Sequence, residues 1–199
     1  MSSVAVRDVA LPVGGIERHG VGWWGAVCLI ATEAALFAYL LFTYFYFAVQ
    51  LPDGWIPRPH PSFALAAPNT VVLLASSVAA AWGERQARRG SRAGTVLGFS
   101  IALLLGLVFL VVQGFEWRGK AFSLSSSVYG SLYFTITGFH MAHVVVGVLA
   151  LGAVILWSAL GLFDARRNVP VLVTTIYWHF VDVVWLCVFT TFYVTPYLW

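Results

Sequence analysis

Residues 22–49, GWWGAVCLIATEAALFAYLLFTYFYFAV, form an apolar run long enough to cross a bilayer as a helix, and the one carboxylate within it is Glu33. At ~1.5 Å per residue Glu33 stands roughly 15 Å beyond Trp23, near the centre of a hydrocarbon slab ~30 Å thick. A charged residue at that depth costs about 2.5 to 3.5 kcal/mol on insertion scales. Glu33 is therefore expected to be protonated, paired, or turned toward protein or water, with the other helices as its housing.

The rest of the chain supports a membrane reading. Of its 199 residues 60% are hydrophobic and only 10% charged, against about 25% charged in soluble globular domains. Apolar windows predict an all-α bundle of five transmembrane helices, about 22–49, 67–84, 94–115, 129–160 and 172–195. Residues 1–21 are left as an N-terminal tail and 22–199 as a single transmembrane domain. The tail has no apolar core with a small-residue cleavage site, so no removable signal peptide is expected. The connection LPDGWIPRPHPS is proline-dense and must be irregular. Span two is expected to open near Ala67 with Pro68 in its first turn. Span four exceeds the bilayer and must tilt or project.

Charge sets the expected orientation. Eight of the eleven Lys and Arg fall on one side: Arg7 and Arg18, Arg85, Arg88, Arg89 and Arg92, and Arg166 and Arg167; the other side holds Arg58, Arg118 and Lys120. The positive-inside rule then places the N-terminus in the cytoplasm and the C-terminus outside. Trp23, Trp24, Trp55, Trp82, Trp117 and Trp199 lie near predicted span ends, where indole rings favour the interface. The net charge of +3 is thus topology, and no basic run interleaved with aromatics points to nucleic acid. Cys28 and Cys187 have neither disulfide nor metal spacing, and are expected to be small buried side chains.

Polar residues within spans carry any chemistry. Gly94, Gly98, Ala102 and Gly106 recur every four residues and line one face of span three, a stripe that lets another backbone approach. His140 and His143 share a face of span four, as His179 and Asp182 do on span five. These residues suit haem or metal ligation, or equally histidines satisfied by a carboxylate or carbonyl of a neighbouring helix. His179 with Asp182 fits an intrahelical pair, a cross-helix clamp or a proton relay. Gln113 and Glu116 sit where span three leaves the membrane, and Glu116 is expected to be a solvated interfacial acid that reaches water or Arg118.

Four stretches together resemble subunit III of the haem-copper oxidases, the cytochrome c oxidase type. They are the Glu33 span, APNTVVLLASS at 67–77 with Asn69, the block from Gly106 through Gln113 and Glu116 to GFHMAHVVVG, and YWHFVDVVWLCVF. Tyr177-Trp178-His179-Phe180 followed by Asp182 and Trp185 is the most specific of these matches. The resemblance implies a non-catalytic, all-helical accessory subunit of an aa3-type terminal oxidase of aerobic respiration in a bacterial plasma membrane. It implies direct packing against oxidase subunit I, with subunit II and other oxidase subunits as further partners, a place in a respiratory supercomplex, and no nucleic acid.

Haem and copper are expected in partner subunits and no cofactor or metal in this chain, with phospholipid bound between helices, stabilisation of subunit I in turnover and support of proton uptake. On the resemblance Glu33 is the family's intramembrane carboxylate, and a cofactor at His140, His143, His179 and Asp182 loses ground. The long form of the family has seven helices, of which this chain's first span matches the third. Leu172 and Ser126 stand where a glutamate and an aspartate are frequent. A quinol oxidase subunit III, a relative associated with nitric oxide reduction, and an independent transporter or membrane cytochrome remain as alternatives.

Overall fold

The computed structural model describes residues 20–51, 54–58, 61–163 and 168–198. The N-terminal tail with Arg7 and Arg18, the loop residues Arg166 and Arg167, and Trp199 lie outside them. Five helices account for nearly all described residues: α1 (Val21–Gln50), α2 (Phe63–Arg88), α3 (Arg92–Arg118), α4 (Val128–Ala159) and α5 (Val169–Phe189). A π-helical turn, Thr190–Val194, and a 3-10 turn, Thr195–Tyr197, continue α5. All five are long and apolar enough to cross a membrane. The all-α, five-span architecture expected from the sequence is the one the chain adopts.

Serine starts three of the helices. The hydroxyls of Ser62, Ser91 and Ser127 accept from the backbone N–H groups of Ala64, Gly94 and Gly130, each satisfying a donor that has no intrahelical partner. Glycine ends two of them. Gly90 and Gly161 take φ of 73° and 77°, and the pairs Gly90 N–H to Ala87 O with Ser91 N–H to Gln86 O, and Gly161 N–H to Ser158 O with Leu162 N–H to Trp157 O, close the last turns as Schellman motifs.

Pro68 corrects one expectation. It lies inside α2, which begins at Phe63 rather than near Ala67. The Ser62 cap and the apolar run FALAA extend the helix one turn upstream, with Pro68 accepted at the loss of one intrahelical hydrogen bond.

Packing is unequal. α2 and α3 form an antiparallel hairpin in which a Cβ added at Gly98 would lie 2.6 Å from the Gly83 Cα. α4 and α5 complete the core, and α5 touches every other helix but most intimately α2 and α4. α1 lies at the edge against α4 and α5 and buries only Phe37 and Tyr44, seven residues apart. Cys28 and Cys187 are both exposed and unpaired on the outer surface of the bundle. This corrects the expectation of burial: their apolar surroundings lie outside this chain.

Candidate functional site

The polar groups inside the bundle fall into three clusters at different depths. The first joins α1 to α4. His143 Nε2 lies 3.0 Å from Glu33 Oε2, and His143 Nδ1 lies 2.7 Å from the carbonyl oxygen of Phe139. A carbonyl can only accept, so Nδ1 carries a hydrogen and donates it. Nε2 then either receives the proton of a neutral carboxyl or gives one to a carboxylate. The pair has no net charge in either case, which is how the bundle meets the cost of a mid-membrane acid. Phe37 packs its ring edge-on against His143, with centroids 5.0 Å apart. The Tyr177 hydroxyl donates to the His143 carbonyl at 3.3 Å. Glu33, His143 and Tyr177 line a hollow of about 210 Å³ together with Leu29, Ala142 and Val146.

The second cluster is the interior face of α5. Trp178 and Trp185 are fully buried and two turns apart, so they stack along one side of the helix. Trp178 fills the space left by two glycines: a Cβ at Gly106 or Gly147 would lie 2.8 or 2.6 Å from its ring. Its Nε1–H donates to Ser76 Oγ at 2.9 Å. Trp185 Nε1–H donates to Thr70 Oγ1 at 2.9 Å, while its ring packs on Phe109 at 4.8 Å and His140 at 4.9 Å. Each indole thereby ties α5 to α2, α3 and α4 at once. On the neighbouring face His179 Nδ1 makes a short hydrogen bond with Ser77 Oγ, and the buried Asp182 lies beside the same hydroxyl. His179 thus bonds to α2 rather than to Asp182, whose two carboxylate oxygens are buried with no hydrogen-bond partner among the described residues. Asn69 adds a strut by donating from Nδ2 to the Phe109 carbonyl at 3.2 Å.

The third cluster lies at the end of the bundle where α2 begins and α3 ends. Glu116 is only 6% exposed. Its Oε1 accepts from Lys120 Nζ at 2.8 Å and from the Tyr193 hydroxyl, and Tyr193 meets the Tyr133 hydroxyl at 3.0 Å. Lys120 Nζ also sits over the Tyr133 and Tyr193 rings, 5.0 and 5.3 Å from their centroids. The expectation of a solvated acid that reaches Arg118 is therefore corrected. Arg118 lies two residues on and points elsewhere on the helix, whereas Lys120, four residues on, shares the face of Glu116, and the π-helical turn of α5 brings Tyr193 over it.

Several predicted residues separate. His140 and His143 diverge: His140 turns inward, fully buried between Phe109, Trp185 and Phe37, while His143 turns to α1. Gln113 is fully buried one turn before Glu116. Of the glycine stripe, Gly94 meets Gln86, Gly98 meets Gly83, Ala102 is fully buried and Gly106 meets Trp178. Ser126, at the position where the resemblance leads one to look for an aspartate, closes a local turn by accepting from Ser123 N–H and donating to Ser123 O. Among the described residues no three of His, Cys, Asp and Glu gather as a metal would require.

Sequence reasoning missed Ser76 and Ser77 as the partners of span five, and Lys120 as the partner of Glu116. Two adjacent serines in the middle of an apolar span were the available signal for the first, and the four-residue spacing of Glu116 and Lys120 for the second.

These features define a multi-pass membrane bundle whose deep polar groups tie helix to helix. Comparison with known proteins carries this to a family. The family model for cytochrome c oxidase subunit III matches residues 16–199. Cytochrome c oxidase subunit 3 of Corynebacterium diphtheriae is 36% identical over 96% of this chain and 98% of its own length. A relative in Nocardia farcinica is 35% identical over 91% of each chain. Cytochrome c oxidase subunit 3 of the hagfish Myxine glutinosa is 32% identical, spanning 85% of this chain and 68% of its own. The chain belongs to the cytochrome c oxidase subunit III family, and it is a multi-pass protein of the plasma membrane.

Proposed function

We propose that this protein is the accessory subunit III of an aa3-type haem-copper oxidase, packed against subunit I, and that it preserves the catalytic subunit in turnover without handling electrons itself. Membership of the family over nearly the whole chain is the observation that carries this reading. The N-terminus is cytoplasmic, because the α2–α3 turn holds Arg85, Arg88, Arg89 and Arg92 and positive loops stay inside. Haem and copper belong to partner subunits. Subunit II and the other oxidase subunits complete the assembly, within a respiratory supercomplex.

The part played by α1 follows from its exposure. Its outward face carries Leu29, Tyr39, Phe42, Tyr46 and Val49 in the open, a surface suited to lipid or to a neighbouring subunit. The hollow bordered by Glu33 and His143 seats phospholipid, and the neutral Glu33–His143 pair gives it a polar point without a net charge. Through these contacts the subunit shields and positions the proton-uptake region of subunit I.

Deletion of the gene tests the proposal. The oxidase lacking this chain is expected to start at a normal rate and then lose activity over successive turnovers faster than the intact complex, while the isolated chain shows no haem Soret band. Full endurance of the deleted complex, or stoichiometric iron or copper on the purified polypeptide, overturns it.

A further inference from the structure

We infer that the outer face of α2 is a seat for a phospholipid of net negative charge, of the phosphatidylglycerol type, whose acyl chain lies along the helix and whose phosphate meets Arg85 and Arg89. The seat is one unbroken stripe. Val71, Ala75, Val78, Trp82, Arg85 and Arg89 follow one another at steps of three or four residues, so they share a face of the helix, and each of them is exposed. The opposite face, with Leu73, Ser77 and Ala80, is the one that α2 buries in the bundle.

The stripe has the length and the order of one leaflet. Val71 to Trp82 spans about 16 Å of helix, which matches half of a hydrocarbon slab ~30 Å thick. Trp82 marks the boundary, where indole rings settle: it is partly exposed, and its ring rests against Gly98 of α3, where an added Cβ would lie 2.9 Å from it. Arg85 and Arg89 stand beyond Trp82, at the level of the headgroups. Every Cα–Cβ bond of a helix tilts toward the N-terminus, and α2 reaches this level from within the hydrocarbon. Both arginines therefore leave the backbone in the direction of the phosphate layer.

Charge decides which headgroup fits. Arg85 and Arg89 have no carboxylate within ion-pair distance among the described residues. Glu84 stands off the stripe and is held by Arg88, whose Nε donates to its Oε1 at 2.9 Å. Arg92, across the turn, reaches toward Gly161 at the end of α4. Two guanidiniums one turn apart thus face the lipid unpaired, and such groups bind phosphate oxygens through charge-assisted, bidentate hydrogen bonds. An ethanolamine headgroup brings an ammonium as well and finds no acid on the stripe to receive it. Topology asks only that the turn be positive. It does not ask that two of its arginines continue an exposed apolar stripe while a third is neutralised beside it. The seat shares no residue with the hollow beside Glu33 and rests only on the membrane-spanning bundle, so its failure leaves the accessory role of the subunit untouched.

Native mass spectrometry of the full chain in detergent, and of the intact oxidase, tests it with phosphatidylglycerol and phosphatidylethanolamine of identical acyl chains in competition. The wild-type chain should retain phosphatidylglycerol over phosphatidylethanolamine by roughly tenfold, the scale of one to two arginines acting on an anionic lipid. Arg85→Gln together with Arg89→Gln should abolish the preference. Arg58→Gln together with Arg118→Gln removes the same charge from exposed sites at the opposite end of the bundle and should leave it in place. The intact oxidase carrying the first pair of substitutions should hold less phosphatidylglycerol than the wild-type oxidase. Equal retention of the two lipids by the wild-type chain overturns the proposal, whatever the variants do. A preference that survives the first pair, or one that both pairs abolish, overturns it as well. So does an unchanged phosphatidylglycerol content in the variant oxidase, because a neighbouring protein then covers the stripe.

Discussion

α1 and α5 are both apolar helices of membrane-spanning length, yet they sit in the bundle in opposite ways. α5 buries half of its most apolar window and α1 only 6%. α5 carries Trp178 into a slot cut by Gly106 and Gly147 and Trp185 onto Phe109 and His140, and each indole N–H finds a hydroxyl on α2. α1 is held by Phe37, by the Glu33–His143 pair, and at its far end by Tyr44, whose hydroxyl lies 3.2 Å from Thr195 Oγ1. The lesson concerns what hydrophobicity does inside a membrane. Lipid is as apolar as leucine, so an apolar surface does not by itself drive a helix into a bundle. Close fit and polar partners do, and α5 has many where α1 has few.

The contrast breaks if α5 can be weakened without consequence. Trp178→Ala should have the largest effect, because it empties the slot and leaves Ser76 without its donor. Removing a buried tryptophan costs about 3 to 5 kcal/mol, and the thermal unfolding of the detergent-purified chain should move down steeply or the chain fail to accumulate. Gly98→Val comes next. Its Cβ falls 2.6 Å from the Gly83 Cα, so α2 and α3 must part, at a cost of roughly 1 to 3 kcal/mol for overpacking. A Gly114→Ala control, where nothing stands within 4 Å, should leave the melting curve in place. Equal effects at the two glycines would show that the α2–α3 contact is looser than the fold implies.

The number, type and approximate extent of the helices were legible in the sequence, because five apolar windows between charged or proline-rich breaks leave little choice. The glycine stripe of α3 was legible as a close-approach surface but not as to partner: Gly98 meets a glycine, Gly106 a tryptophan. Periodicity reports which residues share a face, and it says nothing about what stands opposite. For the same reason His140 and His143 looked like a set and are not one, since three residues on a helix also span an angle wide enough to face two neighbours. Glu33 was legible as an acid in need of a partner. That the partner is His143, 110 positions away, is a fact of tertiary packing.

Polar fastening separates the two helices more finely. Ser77→Ala removes the hydroxyl that His179 Nδ1 bonds on α2 and leaves that half-buried ring nitrogen without it, a penalty of about 1 kcal/mol. Asp182→Ala should likewise loosen α5 and lower copurification with the oxidase. Ser77→Thr keeps the hydroxyl and should restore most of the loss. Unchanged retention in Ser77→Ala would mean that the indoles alone hold α5.

The smallest expected effect is at Glu33, and it is the one that tests α1. Glu33→Gln keeps a group able to donate to His143 Nε2 and stays neutral, so helix packing, monitored by the accessibility of Cys28 to a membrane-permeant thiol reagent, should be nearly unchanged. Glu33→Leu removes the partner of His143 and the only side-chain hydrogen bond that joins α1 to α4 among the described residues, so Cys28, already exposed, should react with altered rate as α1 rotates on Phe37. The cost to the bundle as a whole is expected to stay near 1 kcal/mol, the net worth of one hydrogen bond, because α2 to α5 do not depend on it. A hydrophobic carbodiimide should modify wild type and spare Glu33→Gln. Equal labelling of the two would mean that the acid is not the accessible group beside the hollow, and a large loss of stability in Glu33→Leu would mean that α1 belongs to the core after all.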